Sequence, residues 1–211
     1  MPELIAYASR TGTRRNLDAL RDRGWRLLVS AAGVHRHEGF PYAIDNGAWS
    51  AFTKGKPIDL RKFEQVLRKL GAGADFAVMP DIVAGGLPSL ELSLAWMRRV
   101  LDECPRGLLA VQDGMTVADV EPMIGERVGI FVGGSTAWKL DTLTQWARLA
   151  RSKNAWCHVG RVNSQKRIHK CAGAGATSFD GTSASKYALT LPPLDAAVRQ
   201  QTLHLDDLEA S

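Results

Sequence analysis

No apolar stretch of this chain approaches the ~18 residues that a membrane-spanning helix requires, so no span is expected. The first residues, Met1-Pro2-Glu3-Leu4-Ile5, lack a basic segment leading into an apolar one, and no secretory signal is expected either. Cysteine is scarce. Cys104, Cys157 and Cys171 are odd in number and far apart, which argues against a disulfide framework and for a reducing compartment. A cytoplasmic location is the expectation. Three nucleotide and metal signatures are also missing. The first apolar segment ends in Ser9-Arg10-Thr11-Gly12-Thr13 rather than in Gly-x-Gly-x-x-Gly, and neither a Walker A loop nor a His-Glu-x-x-His helix occurs. No cofactor is expected.

What is present reads as an ordinary globular chain, 45% hydrophobic and 23% charged over 211 residues, which excludes a disordered protein. Twenty-seven Lys and Arg against 22 Asp and Glu leave a net charge of +5, an excess that permits contact with a polyanion without demanding it. Arginines crowd the first quarter (Arg10, Arg14, Arg15, Arg21, Arg23, Arg26), and Arg161, Lys166, Arg167 and Lys170 form a second basic stretch.

Eight short apolar segments punctuate the chain: 4–8, 26–30, 42–45, 76–81, 108–112, 129–133, 156–160 and 177–180. They are continuous apolar runs rather than alternations, as strands of a parallel sheet covered on both faces should be. Amphipathic helices lie between them. Leu60, Phe63, Val66, Leu67 and Leu70 make one face behind an N-cap at Asp59. Leu90, Leu94, Met97, Leu101 and Cys104 make another behind Ser89. Leu140, Leu143, Trp146, Ala147 and Ala150 form a third, Thr116 and Ser164 are cap candidates, and 31–41 reads as a plain loop. The pattern predicts an α/β fold, a compact (β/α)8 TIM-like barrel over residues 1–190, with 191–211 as a C-terminal tail or helix packing on it. An open doubly wound sheet is the alternative.

In such a barrel the C-terminal strand tips build the active site. Here they carry Asp45, Asp81, Gln112-Asp113, Gly133-Gly134, Gly160-Arg161 and Asp180. One Asp after a strand is commonly a cap or turn residue. Three at equivalent tips, joined by a Gln, point to a site. Paired carboxylates on a rigid rim suit glycosidic chemistry, one as nucleophile and one as proton shuttle. Gln112 can donate and accept together, and glycines let a flat ring approach. Trp49 and Phe52 either stack on a base or cover the barrel mouth.

Six segments in order now invite comparison: Asp45-Asn46-Gly47-Ala48-Trp49, Val78-Met79-Pro80-Asp81, Val111-Gln112-Asp113-Gly114, Val132-Gly133-Gly134, Val159-Gly160 and Phe179-Asp180. The set resembles the tRNA-guanine transglycosylase superfamily, most closely its short phage and genomic-island members that place 7-deazaguanines in DNA. The resemblance implies a pentosyltransferase with Asp180 as nucleophile and Asp45 as general acid/base. It further implies Asp81, Gln112, Gly133, Gly134 and Gly160 as base-binding residues. The partners implied are DNA, or tRNA, and a free 7-deazaguanine base, in the host cytoplasm if the chain is phage-encoded. Arg10, Arg14, Arg15, Arg161 and Lys186 are the candidates for nucleic-acid backbone contact. The zinc-binding Cys-x-Cys-x-x-Cys run and insert of the tRNA enzymes are absent, and Asn46 and Ala48 replace that family's Ser and Gly. Cys157-His158 and His169-x-Cys171 read as buried thiols and surface imidazoles, so no metal is expected. A hydrolytic glycosylase, a tRNA-directed enzyme, a non-catalytic nucleic-acid-binding barrel and a sugar-phosphate barrel enzyme remain alternatives. The oligomeric state is open.

Overall fold

The computed structural model describes residues 4–9, 13–186 and 189–209, the side chains of Lys186 and of 201–209 excepted. Eight parallel strands close in sequence order into a barrel, β1 (Ile5–Ser9), β2 (Arg26–Ser30), β3 (Tyr42–Asp45), β4 (Ala77–Val78), β5 (Gly107–Val111), β6 (Val128–Val132), β7 (Cys157–Val159) and β8 (Ser178–Gly181). The helices are α1 (Arg14–Arg21), α2 (Ala48–Phe52), α3 (Leu60–Leu70), α4 (Leu87–Glu103), α5 (Val117–Val120), α6 (Thr136–Ser152), α7 (Gln165–Ala174), α8 (Ser183–Lys186) and α9 (Leu191–Glu209). The connection between β2 and β3 contains no helix. Closure by β1 on β8, with Tyr7 opposite Asp180, removes the open edges of the sheet.

Side chains alternate across each strand and sort into two apolar layers. One set, including Ala6, Val29, Ile44, Leu109, Ile130 and Phe179, packs under the helices. The other, Tyr7, Leu28, Ala43, Phe76, Val78 and Leu108, fills the barrel with Ile5, Phe131 and Trp156. The interior is thus a packed core, not a pore. Tyr7 donates to Asp75 at 2.7 Å and Arg26 pairs with Asp75 at 2.8 Å, which satisfies the polar groups at the N-terminal end.

Local chemistry accounts for most element starts. Asp59 caps α3 by accepting from Lys62 N–H, and Thr116 with Asp119 forms a reciprocal capping box on α5. Ser89 does not cap α4. That helix begins at Leu87, three residues before the start that a Ser89 cap would set, because Pro88 is well suited to a first turn, where its missing N–H has no intrahelical partner to lose. The segment predicted as strand over 76–81 shrinks to Ala77–Val78 in the ladder, since Pro80 has no N–H to continue it.

Candidate active site

The inward-facing positions of three strands run on into the C-terminal mouth. Asp45 follows Ala43 on β3, Asp180 follows Ser178 on β8, and Gln112 continues the set Leu108 and Ala110 of β5. Asp45 accepts from Gly47 N–H at 3.1 Å. Burial, reinforced by the charges of Asp180 and Asp81, outweighs that bond and one from Ser30, and pushes the Asp45 carboxyl up to about 6. The structure therefore brings Asp180 and Asp81 each within electrostatic reach of Asp45.

Asp180 is 6% exposed. Its Oδ1 accepts from the Arg161 backbone N–H at 3.1 Å and lies 3.2 Å from His158 Nε2. Arg161 adopts the left-handed region (φ 59°), uncommon for a residue with a side chain, and this turn aims its N–H at the carboxylate. The Arg161 guanidinium folds back into the site, donating to Gly134 O at 2.6 Å and lying 4.0 Å from the Trp49 ring centre. Trp49 and Phe52 stay 45% and 51% exposed, so they stand over the mouth rather than seal it.

Asp81 and Gln112 come together differently from their simplest reading. Gln112 is buried, and its amide donates to Ser89 Oγ at 2.7 Å, Ile82 O at 2.9 Å and Asp81 Oδ2 at 3.3 Å, while its carbonyl accepts from Gly85 N–H. Every polar atom of the Gln112 side chain is engaged within the protein, so it orients Asp81 instead of facing open space. Asn46 completes the clamp, donating to Asp81 Oδ1 at 2.7 Å and to Met79 O at 2.6 Å. Burial outweighs the bonds to Asp81 from Asn46 and Gln112 and raises the Asp81 pKa. A groove of about 390 Å³ adjoins Asp81, walled by Phe52, Pro57, Ile58, Ile82 and Val83 with Lys56 on its rim. That volume lies within the ~300–1,000 Å³ of small-molecule sites.

The glycines have steric reasons. A Cβ on Gly160 would sit 2.5 Å from Phe131 Cζ, and one on Gly134 (φ 72°) would sit 2.5 Å from Asp113 Oδ2. Asp113 takes two bonds from Ser135, both 2.6 Å; these outweigh its slight desolvation and lower its pKa. Gly133 N–H is taken by Val111 O, and Gly160 O accepts from the buried Lys139 ammonium. Burial, with Arg161 nearby, pulls Lys139 down to about 8.

Arg14 and Arg15 are exposed on the first turn of α1, just past the β1 tip. Lys186 ends α8, with its side chain beyond what the structure describes, and Arg10 lies outside the described residues. His158, expected at the surface, is fully buried inside the barrel. Among the described residues no group of three His, Cys, Asp or Glu side chains is placed to hold a metal ion, and no helix is long and apolar enough to cross a membrane. Sequence reasoning missed His158, Ser178 and Lys139 as members of the site. The available signal was alternation, since Trp156, His158 and Gly160 occupy every second position of one strand, as Ser178 and Asp180 do on the next. The chain matches no known protein-family model, and no curated protein matches it in sequence.

Proposed function

We propose that the protein is a nucleic-acid base-exchange transglycosylase of the guanine transglycosylase type, acting through a covalent aspartyl intermediate. The observation that carries this reading is the pair Asp45 and Asp180 on one rim in unlike surroundings. Asp180 is held by the Arg161 N–H and lies against His158 Nε2, whereas burial and like charge push the Asp45 carboxyl up to about 6. Two carboxylates differentiated by environment suit a nucleophile and a proton shuttle.

In the first step an Asp180 oxygen forms a bond to C1′ of the target nucleotide while the glycosidic C–N bond breaks. The departing guanine nitrogen takes the Asp45 proton. In the second step an incoming 7-deazaguanine loses its ring N–H proton to Asp45, bonds to C1′ and releases the Asp180 carboxylate. Protons and electron pairs balance without a cofactor. Asp81, oriented by Asn46 and Gln112, offers the base an acceptor, and the apolar groove beside it offers flat walls. Trp49 offers a stacking face once Arg161 leaves it. Among the described residues, Arg14 and Arg15 are exposed near the mouth and suit phosphate contact, and Arg161 joins them once it leaves Trp49.

DNA is the substrate favoured by the resemblance and by the short stretch between Gly160 and Asp180, which leaves no room for the zinc-binding insert of the tRNA enzymes. A base in a duplex must leave the stack at a cost of a few kcal/mol. The test is incubation of DNA and tRNA with labelled 7-deazaguanine, followed by nucleoside mass spectrometry. Label in deoxynucleosides is the expected result. Label in tRNA alone would redirect the reading to RNA, and abasic sites without label would identify a hydrolytic glycosylase.

A further inference from the structure

A buried polar chain runs up the inside of the barrel to the site. Trp156 Nε1 donates to Ser178 Oγ at 2.7 Å, and Ser178 Oγ lies 2.7 Å from His158 Nδ1. His158 Nε2 in turn lies 3.2 Å from Asp180 Oδ1. His158 and Ser178 are 0% exposed, and strand register sets them directly opposite each other on β7 and β8. The His158 ring is clamped flat against Phe131 (centroids 5.3 Å, 19°) and met on edge by Tyr7. Trp156, His158 and Ser178 lie outside the motifs that suggested the site.

The protons can be placed by elimination. An indole N–H only donates, so Trp156 occupies an oxygen lone pair of Ser178. The serine proton then goes to His158 Nδ1, and Nε2 carries the hydrogen that meets Asp180. The opposite tautomer would turn a bare nitrogen lone pair toward a carboxylate oxygen. The doubly protonated ring would leave the Ser178 hydroxyl hydrogen without an acceptor among the described contacts. One tautomer satisfies every donor and acceptor.

We infer that His158 is the positioning residue of the Asp180 carboxylate. It is locked by Trp156 and Ser178 as the Nε2–H tautomer, and with Arg161 N–H it saturates Oδ1 so that Oδ2 is the oxygen that attacks C1′. This inference rests on the reading of Asp180 as nucleophile. A carboxylate free to rotate would spread its attack over many geometries, and a misplacement of 1 Å costs about 10²-fold in rate.

Two measurements test it. Long-range proton–nitrogen correlation on 15N-histidine protein reads the tautomer without any substrate. A protonated Nε2 with a bare Nδ1 is expected for His158, and the reverse pattern, a mixture or two protonated nitrogens would overturn the inference. The second measurement is the single-turnover rate of protein–nucleic acid adduct formation. Ser178→Ala removes the donor to Nδ1 and is expected to mix the tautomers and slow adduct formation about 10²-fold with target affinity unchanged. His158→Gln, which restores an N–H donor, should be faster than His158→Leu by tenfold or more. Equal rates for wild type, Ser178→Ala and both His158 variants would overturn the inference even if the tautomer is as expected. An adduct absent from wild type overturns the nucleophile reading and with it the assignment of Oδ2. The tautomer measurement then reports separately on whether the buried chain is as described.

Discussion

At Asp45 the same burial that suits proton transfer weakens the folded state. A carboxyl whose pKa rises to about 6 on folding binds its proton more tightly in the native than in the unfolded chain. The contribution of Asp45 to native stability is then fullest below the unfolded value, ~3.9, and is lost as pH rises through 6. Asp45→Asn removes the penalty and keeps the acceptor for Gly47 N–H. It should stabilise the protein at pH 7.5 by on the order of 2 kcal/mol and leave it unchanged near pH 3.5. Urea unfolding of both proteins at the two pH values checks this; equal midpoints at pH 7.5 would contradict it. The same substitution should slow base exchange by about 10² to 10⁴-fold, the usual worth of a positioned acid/base group. Stability gained where function is lost is the signature expected of a side chain kept for chemistry.

Among the elements, the glycine turns discriminate most sharply. Gly114 and Gly134 both have φ above 70°, but a Cβ on Gly114 meets nothing within 4 Å, whereas on Gly134 it meets Asp113 and Trp138. Gly114→Ala should cost only backbone strain, about 1 kcal/mol, and Gly134→Ala 2 kcal/mol or more, read from denaturant midpoints. Equal losses would show that the Asp113 carboxylate simply moves aside. These elements also show what could be read in advance. The strands were legible because burial on both faces leaves continuous apolar runs, and β2 and β3 fall at the residues expected. The start of α4 was not, because Ser89 has the chemistry of a cap but spends its hydroxyl on Gln112 and Ile82 N–H. The tip residues Asp45, Asp81 and Asp180 were legible because a barrel puts every strand end on one rim. The role of Gln112 was not, since it depends on a loop, 82–86, folding back over it. The His158 chain was hidden for a related reason, as only the register of β7 on β8 sets His158 beside Ser178.

For the molecule as a whole, closure of β1 on β8 brings the start of the chain against the strand that carries Asp180. The first turns of helix α9 pack against the barrel, with Leu191, Leu194 and Ala197 buried and Asp195 accepting from Trp25 at 3.0 Å across 170 residues. The mouth so framed holds Asp45, Asp81 and Asp180 together with the Arg161 guanidinium and the buried Lys139, and Arg14 and Arg15 are exposed at one side. If the proposed function holds, the nucleic acid is held from the rim. Replacing both arginines with Ala should weaken DNA binding and flatten the slope of log affinity against log salt by about 2, if each contacts one phosphate. An unchanged slope would move the interface elsewhere on the surface. The central claim is the covalent role of Asp180, and the most direct measurement is intact-mass and peptide mapping of protein quenched during turnover on DNA. The account predicts a nucleic-acid adduct on the peptide containing Phe179-Asp180, absent in Asp180→Asn, whose exchange should fall by about 10³-fold or more. An adduct on another residue, or base exchange at a near-wild-type rate in Asp180→Asn, would contradict it.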